Sequence, residues 1–180
     1  MPSPLLVRPS TPADLKAIHA IYAHAVQQGT GTFEIDVPTV EEMARRRDDL
    51  LSKGMPWLVA EQGDRVIGYA YAGPFRPRPA YRFSVEDSIY LDPDAQGRGV
   101  GRLLLAELLA RCQAAGARQM LAVIGDSANH GSTGVHAALG FERCGLLRAV
   151  GWKFGRWLDV VLMQRPLGAA DSSAPQDATA

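Results

Sequence analysis

An α/β domain whose sheet mixes pairing senses is the fold class this sequence predicts, and three observations lead to it. Short apolar runs of strand character are interspersed with segments of helical spacing. A strand, a glycine-rich turn, a helix and a further strand follow one another in mid-chain. Finally, 180 residues of which 47% are hydrophobic supply enough material for one good core.

The elements follow in order. Leu5 to Arg8 is a short apolar strand, and Thr11-Pro12-Ala13-Asp14 then combines a capping hydroxyl, a proline at the first helical position and an acid in the first turn. The helix it opens carries Leu15, Ile18, Tyr22 and Val26 at helical spacing and gives way to a loop at GTGTF, residues 29–33. Thr39 with Glu42 forms a second capping box for a helix that runs to about Lys53 and is ended by Gly54. WLVAE (57–61) and VIGYAYAG (66–73) read as strands of a hairpin turning at Gly63-Asp64. Three prolines make PFRPRPAYR (74–82) a loop.

SVEDSIYL (84–91) is the next strand, DPDAQGRGVG (92–101) the glycine-rich turn, and RLLLAELLARCQAA (102–115) an apolar helix closed by Gly116. QMLAVIG (119–125) reads as a buried strand, STGVHAALG (132–140) as a short helix, and two strand runs follow to about Leu167. These elements place one domain over residues 1–167. From Gly168 the chain is small, polar and aperiodic, so residues 168–180 are expected to be a disordered tail.

Charge and cysteine content narrow the function classes. Nineteen basic residues balance nineteen acidic ones, so no overall field draws the chain to nucleic acid or to an anionic membrane. Cys112 and Cys144 stand beside aliphatic residues in no metal or redox motif, and are expected to be buried thiols in a reducing compartment. The N-terminus lacks an apolar run behind a basic start and no stretch reaches the length of a membrane span, so a cytoplasmic protein is expected.

Gln96-Gly97-Arg98-Gly99-Val100-Gly101 lies between strand and helix, where glycines let backbone approach a ligand and the first N–H groups of the helix point outward. That suits a pyrophosphate, although a tight strand-to-helix turn also needs glycine. It is no Walker loop, since Arg102 and Leu103 stand where lysine and a hydroxyl belong, and Leu104 occupies the third glycine of a dinucleotide fingerprint. Glu86 interrupts an otherwise apolar strand, where burial raises a carboxyl pKa and makes it a better proton acceptor. Asp87 points to the opposite face and reads as structural. Arg76 and Arg78 flank Pro77 in the stiff loop, and their planar forks match a carboxylate or phosphinate if they are not simply solvated.

The QGRGVG turn after VEDSIYL resembles the acyl-CoA-binding motif of the GNAT acetyltransferases. Together with GTGTFE (29–34), FRPR (75–78), AVIGDSAN (122–129), VHAALGF (135–141) and GWKFGRWLDVVLMQR (151–165), it resembles the phosphinothricin and methionine sulfoximine N-acetyltransferases over Leu5 to Leu167. The resemblance implies the GNAT acyl-CoA N-acyltransferase fold, a mostly antiparallel mixed sheet flanked by helices. It implies acetyl-CoA as co-substrate, no metal, a small amino-acid-like amine as acceptor, resistance to such amino-acid antibiotics as a role, and a homodimer. It further implies that Ile89, Tyr90 and Leu91 lend backbone groups to the pantetheine arm, that Gly97, Arg98, Gly99, Val100, Gly101 and Arg102 hold the pyrophosphate, and that Asn129 meets the pantetheine.

By the same resemblance Glu86 is the base. His136 occupies the place of the GNAT tyrosine that reprotonates the CoA thiolate, and serves as that acid or assists Glu86; a lone helical histidine is also often structural. Arg76, Pro77, Arg78, Glu86, Asp87 and Ser88 are implied at the amine substrate, and Lys153 to Trp157 near a partner's pocket. Two rivals stand beside this reading, a protein lysine or N-terminal acetyltransferase and a non-catalytic acyl-CoA sensor. The long GTGTFE and FRPRPAYR loops favour a closed small-molecule pocket over the first, and Glu86 with His136 favours turnover over the second.

Overall fold

The computed structural model describes residues 4–175. Among these residues seven strands form one sheet: β1 (Leu5–Pro9), β2 (Trp57–Gln62), β3 (Arg65–Pro74), β4 (Ser84–Leu91), β5 (Gln119–Gly125), β6 (Glu142–Lys153) and β7 (Arg156–Pro166). Four α-helices of the described residues accompany them: α1 (Leu15–Gln28), α2 (Val40–Ser52), α3 (Val100–Ala114) and α4 (His130–Ala138). The spatial order is β1-β2-β3-β4-β5-β7-β6, and every neighbouring pair is antiparallel except β4 with β5. The expected mixed, mostly antiparallel sheet is therefore found.

Local chemistry sets the element boundaries. The Thr11 N–H donates to Asp14 Oδ2 at 2.7 Å, and a single 3-10 turn at Pro12–Asp14 leads into α1, so the helix proper begins slightly later than its capping residues. Thr39 Oγ1 accepts from the Glu42 N–H at 3.1 Å to start α2, and Gly54, at φ 73, lets the chain turn away after it. Gly63-Asp64 makes the two-residue turn between Gln62 and Arg65. Pro74 ends β3, and the proline loop that follows contains one 3-10 turn at Pro79–Tyr81.

Alternation along the strands divides the interior into two layers. Leu58, Ala60, Ala70, Ala72 and Val85 pack with Leu104, Leu105 and Leu108 of α3, all at most 2% exposed. Trp57, Val59 and Tyr69 face the other way, against Ile18, Tyr22 and Val26 of α1 and Met43 of α2. Each such leucine contributes about 1.5–3 kcal/mol by leaving water.

Three expectations change. β5 is not buried throughout, because Val123 is 36% exposed where its outer edge loses a partner. Cys112 is buried, but Cys144 is exposed on the bulged edge strand β6. Of the expected tail, residues 168–173 form turns and bends, with Arg118 donating to the Ala170 and Ala174 carbonyls at 3.1 and 3.2 Å. Residues 176–180 of it lie outside the described residues.

Candidate active site

Among the described residues the only parallel pairing is also the shortest in the centre of the sheet. β4 and β5 pair over Ser84–Asp87 against Gln119–Ala122 and then separate, β4 following β3 to Leu91 and β5 following β7 to Gly125. Hydrogen bonds from Phe75 N to Ser84 O and from Asp92 N to Ile67 O set the phase of β4 against β3. The backbone groups of Glu86, Ser88 and Tyr90 are thereby turned to β3, and those of Ile89 and Leu91 into the gap. The bond from Asp126 N to Asp159 O sets the phase of β5 in the same way and leaves the backbone groups of Val123 and Gly125 facing the gap from the other side. Such unpaired N–H and C=O groups are ready for an amide-bearing ligand.

A cleft of about 790 Å³ opens at this gap. Of the residues expected at an acyl-CoA, Ile89, Tyr90, Leu91, Gly97, Gly101 and Asn129 line it, whereas Arg98, Gly99, Val100 and Arg102 do not. Gly97 and Gly99 have φ of 70° and 81°, the left-handed geometry that turns the chain into α3. The first helical bond, Leu103 N to Gly99 O, leaves the N–H groups of Val100, Gly101 and Arg102 without intrahelical acceptors. Val100 is otherwise a core side chain at 2% exposure. Arg98 donates to Gln62 Oε1 at 3.0 Å. Asn129 Oδ1 accepts from Ser132 N at 3.1 Å as the cap of α4; among the described residues no acceptor meets its Nδ2.

Glu86, Asp87 and Ser88 line the cleft, but Arg76, Pro77 and Arg78 do not. Glu86 is half-buried and accepts no hydrogen bond among the described residues. Burial first, and then the charge of Asp87, push its carboxyl above the usual range, while Arg76 pulls it back. Arg76 lies over the Phe75 ring, 4.6 Å from its centroid. Asp87 points to the opposite face, as expected, where its Oδ2 lies 2.9 Å from His136 Nε2.

Several residues that shape the site were not singled out from sequence, or, as with Lys153 and Arg156, were expected to face a partner. The Tyr22 hydroxyl lies 3.0 Å from Thr32 Oγ1. Phe33 sits in a slot between Gly125 and Gly151, so close that a Cβ built on either would fall within 3.0 Å of the ring. Lys153 Nζ donates to the carbonyls of Gly29 and Thr32 at 2.9 and 2.8 Å, and burial lowers its pKa. Asp126, held at φ 70°, accepts from Thr30 Oγ1, Ala128 N and Arg156 Nη2. These contacts fasten the 29–33 loop as one wall of the cleft. The cationic part of the late aromatic cluster is thus spent within the chain, while Trp152, Phe154 and Trp157 stay 54–62% exposed. Glycines inside two strands were the available signal for the Phe33 slot.

Known proteins share this arrangement. Over 163 residues, covering 91% of this chain and 83% of the relative, it is 55% identical to a phosphinothricin N-acetyltransferase of Alcaligenes faecalis. It is 40% identical over 171 residues, 93% of this chain and 97% of the relative, to an L-methionine sulfoximine/L-methionine sulfone acetyltransferase of Pseudomonas aeruginosa. The crystal structure of a phosphinothricin acetyltransferase of Sinorhizobium meliloti, in complex with acetyl-CoA, superposes with a TM-score of 0.93 at 49% identity, covering 96% of this chain and 94% of that one. Residues 17–141 match the Acetyltransferase (GNAT) family. The split between β4 and β5, the glycine turn that opens α3 and these matches agree, and the chain belongs to the GNAT acetyltransferase family.

Proposed function

We propose that this enzyme transfers the acetyl group of acetyl-CoA to the amino group of a small amino acid of the phosphinothricin or methionine sulfoximine kind. The observation that carries the reading is the gap beyond Asp87 and Ala122, with the glycine turn at one end and a half-buried, unpaired Glu86 at the other. The relatives above supply the substrate class. Acetyl-CoA brings the acetyl group as an activated thioester.

The free N–H groups of Val100 to Arg102, beside Gly97 and with Arg98 and Arg102 close by, meet its phosphates. Ile89 and Leu91 bond its pantetheine amides through their backbone, Tyr90 between them packs on the far face, and Asn129 offers its free Nδ2. A backbone donor at Leu91 aimed at the thioester oxygen stabilises the charge that develops there. Glu86, with its affinity for protons raised by burial, takes the proton of the substrate ammonium directly or through a water. Arg76 stands near enough to Glu86 to act on its charge and meets the substrate carboxylate at the mouth of the cleft, with Pro77 stiffening the loop, Arg78 beyond it and Ser88 on the wall. His136 serves the cofactor side of the gap.

The exposed Trp152, Phe154 and Trp157, at the hairpin between the edge strand β6 and β7, form a surface that a second copy covers in a symmetric homodimer. The cytoplasm, where acetyl-CoA is available, is the compartment this reaction calls for. Release of CoA thiol on mixing enzyme, acetyl-CoA and methionine sulfoximine or phosphinothricin tests the reading. Turnover confined to peptide or protein amines would replace it with the protein-acetyltransferase alternative. A monomer mass by light scattering in the fully active enzyme would remove the dimer.

A further inference from the structure

Behind Glu86, on the α3 and α4 side of the sheet, two titratable side chains are almost wholly buried at the edge of the cleft. Asp87 and His136 each leave 2% of their side chains exposed. His136 Nε2 lies 2.9 Å from Asp87 Oδ2, its Nδ1 lies 2.7 Å from the Ser132 carbonyl, and Phe141 meets the ring edge-on at 4.9 Å.

These contacts fix a proton count. A carbonyl oxygen only accepts, so Nδ1 must carry a hydrogen. A ring lone pair and a carboxylate do not approach to 2.9 Å without a hydrogen between them, so a second one lies between Nε2 and Oδ2. The pair therefore holds one proton more than a neutral imidazole beside an ionised carboxylate. Burial works against the charged ring, but the hydrogen bond and charge of Asp87 and the Ser132 carbonyl outweigh it and raise the pKa of His136.

The surroundings leave the pair to itself. Glu86, the next residue, faces the other side of β4. From α3 comes the Cys112 thiol, which burial and then Asp87 push up to about 12. β5 presents Ala122 opposite Asp87, and the other α4 histidine, His130, is at its exposed first turn. Asp87 Oδ1 is buried and has no hydrogen-bond partner among the described residues, yet Asp87 and His136 both line the cleft. A buried oxygen left unpaired is costly, which suits a position completed by what enters the cleft.

We infer that Asp87 is a positioning residue that keeps a proton on His136 beside the gap, where the departing thiolate of CoA needs one. This rests on the acetyl-transfer reading above. As the amine adds and the C–S bond breaks, the bonding pair stays on sulfur, which gains the proton shared by Nε2 and Oδ2 by way of the Asp87 carboxyl; the Nδ1 hydrogen stays in its bond to the Ser132 carbonyl, and a neutral ring beside an ionised carboxylate is left. The ammonium nitrogen sheds two protons in becoming an amide; one replaces that given to sulfur and the other goes to solvent.

Asp87→Asn tests the assignment with little change of shape. Its amide can turn an N–H toward Nε2 while Nδ1 still donates to Ser132, which leaves His136 anchored but neutral. The expected result is acetyl-CoA affinity within about twofold of wild type, a kcat lower by about tenfold or more, and an alkaline limb of the kcat profile moved to lower pH. In ¹⁵N NMR at pH 7, both ring nitrogens of His136 should be protonated in the wild type, and Nε2 unprotonated in the variant. A wild-type His136 neutral at pH 7 overturns the proposal on its own, whether or not the variant folds. So does a variant with neutral His136 that keeps the wild-type kcat and profile. A wild-type enzyme that releases no CoA thiol with any amine would instead remove the transfer reaction, and the purpose of the pair with it.

Discussion

Phe33 between two glycines gives a test in which geometry decides the ranking of two similar substitutions. Neither Gly125 nor Gly151 has a positive φ, so alanine is conformationally allowed at both and only space is at issue. The three atoms nearest a Cβ on Gly151 would all belong to the Phe33 ring, at 2.3, 2.6 and 2.9 Å. On Gly125 it would meet the Thr30 carbonyl oxygen at 2.3 Å as well as the ring at 2.8 Å. A ring can swing aside, but a backbone carbonyl takes its loop with it.

Overpacking of this kind costs about 1–3 kcal/mol, against which Gly→Ala returns about 0.4–1 kcal/mol through the unfolded chain. Gly125→Ala belongs at the upper end and Gly151→Ala near the lower. In a chain of this size, about 2 kcal/mol lowers Tm by about 4–8 °C. Phe33→Leu should largely relieve Gly151→Ala, a coupling above about 0.5 kcal/mol in a double-mutant cycle, but only partly relieve Gly125→Ala, because the Thr30 carbonyl remains. Thr30 and Phe33 line the cleft, so Gly125→Ala should also raise KM for the amine substrate. Thermal melts and KM values for the single and double variants check this. Gly125→Ala no less stable than Gly151→Ala, or no coupling with Phe33, would refute the slot.

Glu86→Gln should lower kcat by about a hundredfold or more and abolish the acidic limb of the pH profile. Because the folded-state pKa of Glu86 is raised, its ionisation costs stability as pH rises from the usual carboxylate range through the raised value; the glutamine variant escapes that loss and should be at least as stable at pH 7 by urea melts. Arg76→Ala removes the charge that holds the Glu86 pKa down, so the acidic limb should move to higher pH, and KM should rise for the amine more than for acetyl-CoA. Asp14, which its hydrogen bond from Arg8 lowers to about 2, contributes stability that is present above the usual carboxylate pKa and is lost as pH falls from there through about 2. Asp14→Asn should flatten this acid loss and cost about 1 kcal/mol at pH 7, read from melts at pH 2 to 7.

What could be read from sequence was mostly local. The caps at Thr11 and Thr39, the hairpin at Gly63-Asp64 and the strand-turn-helix unit each depend on a few neighbouring residues, and the fold carries all of them. Glu86 in an apolar strand was legible for the same reason. Distance in sequence hid the rest. Nothing near His136 announces Asp87, 49 residues earlier, as its partner. Lys153 read as an interface cation because its acceptors, two carbonyls more than 120 residues away, have no side-chain signature. Arg76 and Arg78 read as substrate ligands from their planar forks beside Pro77 and from the resemblance; neither lines the cleft, and that Arg76 acts on the charge of Glu86 depends on where the loop folds, which no local pattern shows. Cys144 sits where a bulge turns β6 at the sheet edge, which no local pattern encodes.

The alternation of one strand organises the site. Glu86 and Asp87 are consecutive, so the pleat sends their carboxyl groups to opposite faces. One faces the aromatic layer under α1 and α2, the side proposed for deprotonation of the amine, and the other faces α4, where it meets His136. Their β3 partners Gly73 and Ala72 carry no bulk, and β5 leaves β4 immediately after the Asp87–Ala122 pair. The sheet thus opens where the two carboxyl groups part. A one-residue slip of β4 against β3 would exchange the faces, turning Glu86 toward α4 and Asp87 toward the aromatic layer. Pairing register, which usually serves burial alone, here also determines which carboxyl group meets His136 and which the aromatic layer.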